Sequence, residues 1–166
     1  MICSKLYDFQ KFHPMKKILV IILVAFVIIQ FFPIDKTNAP LNPGMDFLKI
    51  KNTKPEIAKL INTSCYDCHS DETKYPWYSS IAPTSWWLKN HVTEGRKHLN
   101  FSIFSTYEPE RQIHKMEECV EMLEKHEMPL ESYYVGHQDA KLTDLQRKEL
   151  ITYFKREIEE TKFKIK

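Results

Sequence analysis

The sequence predicts an all-α domain behind an apolar N-terminal helix. Three observations carry that reading. Apolar residues recur at helical spacing in Ile57/Leu60/Ile61, in Ile113/Met116/Val120/Leu123 and in Leu150/Ile151/Phe154/Ile158. No segment is β-rich, and no stretch repeats another. A single C-x-x-C-H run, Cys65-Tyr66-Asp67-Cys68-His69, lies where the first of those helices ends.

Composition fits a folded domain with extras. The chain has 166 residues, 13% of them aromatic, with three glycines and nine prolines, so low-complexity disorder is excluded. The formal charge of +2 is unevenly divided. Residues 1–39 hold five Lys/Arg and two acids, and the remaining nineteen Lys/Arg and twenty acids lie in 40–166. A domain this near neutrality lacks the clustered positive charge of a nucleic-acid footprint, so no nucleic-acid partner is expected.

Residues 1–39 read as an N-terminal extension followed by a signal or membrane anchor. Residues 1–14 are polar and irregular, and Cys3 precedes any apolar run, so it does not suit lipidation. Met15-Lys16-Lys17 reads as a second start, which leaves Met1 and Met15 as competing initiators. Lysines before the unbroken apolar run Ile18–Ile29 form an export pattern. Residues 18–34 together fall at the lower limit of a membrane-spanning length. Thr37-Asn38-Ala39 resembles a cleavage site, but Pro40 disfavours cleavage, so an uncleaved anchor is favoured. The lysines then stay in the cytoplasm and the domain lies outside it. Residues 40–52, with Pro40, Pro43 and Gly44, read as a linker, and the domain proper is expected over 53–166.

Within the domain, Thr53 and Glu56 flank Pro55 as a helix start leading straight to Cys65. Residues 70–83 read as a loop plugged by aromatic side chains. A second helix is expected from Thr84 or Ser85 to about Leu99, with Trp87, His91, Glu94 and His98 on one face and Gly95 weakening its interior. Asn100–Glu108 breaks the pattern. A third helix spans Pro109 to about His126, with an acidic wet face and Cys119 beside its buried stripe as an inert thiol. Met128-Pro129 lies in the following loop, and residues 130–142 form another. Thr143-Asp144-Leu145-Gln146 is a capping box for the last helix, whose terminal Lys162, Lys164 and Lys166 are expected to fray.

The C-x-x-C-H run is the attachment signature of a c-type haem. Two thiols three positions apart on a helical turn can both form thioether bonds to one haem edge, and the next residue sets an imidazole under the iron. A redox dithiol would want a βαβ context, and a zinc site lacks its second half. A disulfide between Cys65 and Cys68 would close a very small loop. Export of the chain favours haem, since c-type haem is attached outside the cytoplasm. His69 is the first iron ligand. Met128 is the leading candidate for the second, because Pro129 holds it in an extended loop. His91 and His98 are rivals, set about 10 Å apart so that both cannot serve one iron. An open sixth position is the third alternative. Trp86 and Trp87 are candidates to cover haem faces, and Arg96 to meet a propionate.

From about residue 55 to 160 the chain resembles class I cytochromes c. The likeness lies in the helix leading into Cys65–His69, the Met128-Pro129 pair and the final helix opened by Leu142-Thr143-Asp144. More narrowly, it is similar to membrane-anchored haem-binding domain proteins of Bacteroidetes-type bacteria. Tyr75-Pro76-Trp77-Tyr78-Ser79, Ser85-Trp86-Trp87-Leu88, Glu94-Gly95-Arg96, Leu99-Asn100-Phe101-Ser102 and Glu127-Met128-Pro129 carry that likeness. The resemblance implies one covalent haem c in a domain outside the cytoplasmic membrane. The Trp86-to-Ser102 block departs from small cytochromes c and leaves the sixth ligand and the propionate side open. The expected fold is therefore a cytochrome c-like helical domain in which the helix before Cys65 packs across the helix after Thr143. The expected role is electron transfer with periplasmic or membrane redox proteins, without turnover of a substrate. A haem-based enzyme or a gas or redox sensor is the alternative.

Overall fold

A computed structural model describes residues 14–165. Residues 1–13, with Met1 and Cys3, and Lys166, all used in reading the sequence, lie outside the described residues. Every regular element among those described is helical. The chain divides into two compact units, one formed by residues up to 35 with 76–89, the other by residues 36–75 with 90 onward.

In the first unit, α1 (Pro14–Ile29) carries the apolar run, and none of its residues is buried. At 1.5 Å per residue its sixteen residues reach about 24 Å. Among the described residues no helix is long and apolar enough to cross a membrane. The rest of this unit is a 3-10 turn (Trp77–Ser80) and the start of α5 (Thr84–His98).

The second unit holds the core. Within the segment expected as a linker, Phe47–Ile50 forms a one-turn helix, α2, capped by Asp46, whose carboxylate accepts from Leu48 N at 3.0 Å and Lys49 N at 3.3 Å. Phe47 is fully buried. Its ring meets Phe101 at 5.1 Å, Phe104 at 4.8 Å and Phe154 at 5.8 Å, so a supposed linker supplies the centre of the core. α3 (Pro55–Ile61) starts at Lys54, not Thr53. The Thr53 hydroxyl is held instead by the Tyr153 hydroxyl at 2.6 Å. α3 continues without a break through a π turn (Asn62–Tyr66) into α4 (Asp67–His69), so the whole motif lies on helix.

After α5, a 3-10 segment (Phe101–Thr106) buries Phe101 and Phe104 where the sequence suggested only a break. α6 (Pro109–Glu124) buries Ile113, Met116, Val120 and Leu123, as its spacing predicts. A short α7 (Glu131–Tyr134) and a 3-10 turn (Gln138–Ala140) occupy the expected loop. α8 (Asp144–Lys164) opens with the predicted capping box between Thr143 and Gln146. It packs along α6 and also against α3, the crossing the sequence predicted. Fraying of its last turn is not seen. α8 stays helical to Lys164, and Lys162 pairs with Glu117 of α6 and with Glu159. Glu157 of α8 is buried and paired with Arg156 at 2.9 Å and Lys51 at 3.9 Å.

Candidate haem site

The site is built on the helical stretch from α3 to α4. π turns concentrate at functional positions because the wider turn reorients the side chains that follow. Here the π turn contains Cys65, and α4 ends at His69, after which Ser70 is extended. Cys65 and Cys68 are free thiols, not a disulfide. Burial pushes the Cys65 thiol up to about 12 and the Cys68 thiol up to about 11. Both therefore stay protonated in neutral solution, in surroundings suited to an apolar ring. Among the described residues no three His, Cys, Asp or Glu side chains converge as a metal cage would require.

His69 is oriented from outside the motif. Its Nδ1 lies 3.1 Å from the Leu99 carbonyl. A carbonyl only accepts, so Nδ1 carries the hydrogen and Nε2 keeps the lone pair that a metal would need. Burial lowers the His69 pKa, opposed by the carbonyls of Leu99 and Gly95, which keeps the ring neutral.

The two spacer residues fasten the motif on both sides. Tyr66 turns inward, stacks on Phe101 with centroids 5.4 Å apart, and donates its hydroxyl to Asp46 at 2.8 Å. Asp67 turns to α7, where the Tyr133 hydroxyl donates to it at 2.7 Å, and its second oxygen accepts from Lys74 N at 3.0 Å. Ser64, just before Cys65, donates to the Ala140 carbonyl at 3.1 Å. The segment following Met128 is thus pinned to the motif at Asp67 and again at Ser64.

Gly95 in α5 has a different role from the weak spot the sequence suggested. A Cβ there would stand 2.6 Å from the Cys68 carbonyl oxygen and 3.3 Å from the Cys68 Cβ. Only glycine allows α5 to lie on the motif's backbone. The same turn brings Leu99 to His69, since Leu99 N donates to the Gly95 carbonyl at 2.9 Å. One turn of α5 therefore sets both contacts. A glycine one residue before an arginine in a helix was the available signal, but its partner was not readable.

Of the other expected residues, Arg96 joins the motif by way of the chain that leaves it. Its Nε donates to the Ser70 carbonyl at 2.7 Å, and its Nη2 to Thr73 Oγ1 and Asn38 Oδ1, each at 2.8 Å. Asp71 lies 3.6 Å from Nε. Met128 is half-buried in the loop between α6 and α7. Its carbonyl accepts from Arg147 Nη1 at 2.8 Å, and Nη1 also reaches the Leu123 carbonyl at 3.2 Å. Arg147 is buried, and its Nε has no hydrogen-bond partner. Arg147 extends the stripe of Leu150, Ile151, Phe154 and Ile158 by one turn, but as a charged residue it does not read as core. His91 is half-buried and His98 exposed. Trp86 and Trp87 belong to the first unit, and both are exposed. Cys119 is raised well above the ordinary thiol range by burial, then by the neighbouring Cys65.

The residues present fit a haem. Two unpaired thiols sit three apart on one helix, and the imidazole of the next residue has its Nδ1 tied to a backbone carbonyl. Comparison with curated proteins and with solved structures gives no match. The profile of a family described as "Haem-binding domain" matches residues 24–156. Covering most of the chain and the whole of the Cys65–His69 motif, that match places this all-helical protein in the haem-binding domain family.

Proposed function

We propose that the protein is a c-type cytochrome carrying one covalent haem and passing electrons between redox proteins outside the cytoplasm. Cys65 and Cys68 would hold the haem through thioether bonds, His69 Nε2 would ligate the iron, and Met128 would supply the second ligand. When bound, the group supplies reversible one-electron chemistry at iron. The chain's own residues do the rest. The Leu99 carbonyl fixes the His69 ring, and an imidazole so held ligates without first reorienting. Tyr66 and Asp67, each hydrogen-bonded to a residue outside the motif, would hold its backbone in place around the group. A histidine–methionine pair favours the reduced state relative to two histidines and leaves no position for a small molecule, which argues for a carrier over an enzyme or sensor.

The observation that carries the Met128 assignment is the pinning of its loop to α8 by Arg147, and of the segment after it by Tyr133 to Asp67 of the motif and by Ala140 to Ser64 just before the motif. α1 would hold the domain to the membrane, with Lys16 and Lys17 on the cytoplasmic side. The test is absorbance spectroscopy of oxidised and reduced wild type and Met128→Ala, matured with a cytochrome c assembly system. The variant is expected to lose the long-wavelength band of methionine-ligated ferric haem and to gain a carbon monoxide adduct. An unchanged oxidised spectrum would refute the ligand. A wild type that binds carbon monoxide readily would favour the sensor or enzyme reading.

A further inference from the structure

The chain has three tryptophans, Trp77, Trp86 and Trp87, and all of them lie in the first unit. Their exposures are 78%, 40% and 48%. Phe31 and Phe32, just past the end of α1, are also exposed. Leaving that many large rings in water is unfavourable, and contiguous exposed apolar surface marks a contact.

Two sets of hydrogen bonds fasten this aromatic surface to the end of α1. Gln30 Nε2 donates to the Ala82 carbonyl at 3.0 Å, and Ala82 N donates back to Gln30 Oε1 at 3.0 Å. The Trp86 indole donates to the Phe32 carbonyl at 2.9 Å. The residues so joined carry no charge. Residues 18–34 and 76–88 contain no Asp, Glu, Lys, Arg or His, in a chain whose charged fraction is 28%. Charges resume at once on either side, at Lys17, Asp35, Lys74 and Lys89.

We propose that Trp77, Trp86 and Trp87, with Phe31 and Phe32, form an aromatic collar that seats the outer end of α1 in the headgroup layer of a lipid bilayer. This rests on α1 as the membrane anchor. Lipid is favoured over a protein partner because the collar is fastened to a helix that carries no charge after Lys17 and buries none of its residues. A protein contact would carry charged residues at its rim, and none lies within these two stretches. Indole rings, apolar with one N–H donor, suit the boundary between acyl chains and water. Length supports the same occupant. A sixteen-residue helix falls short of the roughly 30 Å hydrocarbon core, and an apolar collar at its end extends the lipid-compatible surface. Trp86 and Trp87, expected from the sequence at a haem face, are assigned to lipid instead.

Because every tryptophan lies in the collar, emission excited at the red edge, where tyrosine does not absorb, reports on it alone. The experiment uses the full haem-loaded chain in phosphatidylcholine–phosphatidylglycerol vesicles, with lipids brominated near the carbonyl end or near the methyl end of the acyl chain. Taking the ratio between the two lipids cancels any quenching by the haem. The proposal expects flotation with the vesicles, a blue-shifted emission, and stronger quenching by the shallow bromines. Gln30→Ala, which removes both bonds to Ala82, should keep flotation and lose most of that quenching. Flotation with emission and acrylamide access unchanged from buffer would overturn the collar and leave the anchor standing. Absence of flotation would overturn the anchor and the collar together. Unaltered quenching in Gln30→Ala would overturn the Gln30–Ala82 clasp as what places the rings.

Discussion

Gly95→Ala tests whether the approach of α5 to the motif governs the site. Helix propensity alone predicts a gain, since replacing an interior glycine by alanine stabilises a helix by about 1 kcal/mol. The structure predicts a loss. The new Cβ would meet the Cys68 carbonyl oxygen at 2.6 Å, and regaining ordinary contact at 3.4 Å means parting the two elements by roughly 0.8 Å. The obstacle is backbone, so no side-chain rotation relieves it. Overpacking of this kind costs about 1–3 kcal/mol, which outweighs the propensity gain and leaves a net loss of about 1 kcal/mol. The same displacement stretches the 3.1 Å contact between His69 Nδ1 and the Leu99 carbonyl. Urea unfolding of the haem-loaded protein, followed at the Soret band, gives the stability. The oxidised spectrum shows whether the His69 ligand field has changed. Thr93→Ala, at an exposed site on the same helix, is the control and should be neutral or stabilising. If Gly95→Ala stabilised the protein by about 1 kcal/mol with an unaltered spectrum, the close approach would have no energetic meaning.

Two further variants probe the surroundings of the site. Arg147→Gln removes the donor shared by the Met128 and Leu123 carbonyls and should cost about 1–3 kcal/mol in urea unfolding. The same variant should weaken the methionine-ligand band, whereas an unaltered band would mean that Arg147 supports only the fold. Cys119 is tested in a Cys3→Ser background by alkylation at pH 8 with mass detection, and its thiol should react only after unfolding. Because burial raises its folded pKa, its stabilising contribution is full below the ordinary thiol pKa and is lost as pH rises towards the raised value. Wild type should therefore lose more stability than Cys119→Ala between pH 8 and pH 10.5, and equal losses would refute the burial.

What was legible in the sequence follows from how local each signal is. The stripe of α6 and the capping box of α8 depend on residues three or four apart, and both stand as read. The motif was legible because its chemistry requires a fixed spacing. Phe47 was missed because one helical turn between prolines gives no periodicity, and only the rings of Phe101, Phe104 and Phe154 show it as core. Thr53 met every local rule for a cap, yet its hydroxyl is bonded to Tyr153, a hundred positions on. Gly95, Arg147 and Tyr133 share this property. Each matters through long-range backbone or carboxylate contacts that no spacing rule encodes.

The proposed function rests on covalent attachment of haem at Cys65 and Cys68. The direct measurement is acid–acetone extraction of protein matured with a cytochrome c assembly system, followed by mass analysis of the peptide containing Cys65–His69. Haem is expected to stay with the protein, and this peptide to be heavier by one haem, bonded at both cysteines. Haem released into the acetone, with Cys65 and Cys68 recovered as unmodified thiols, would contradict it.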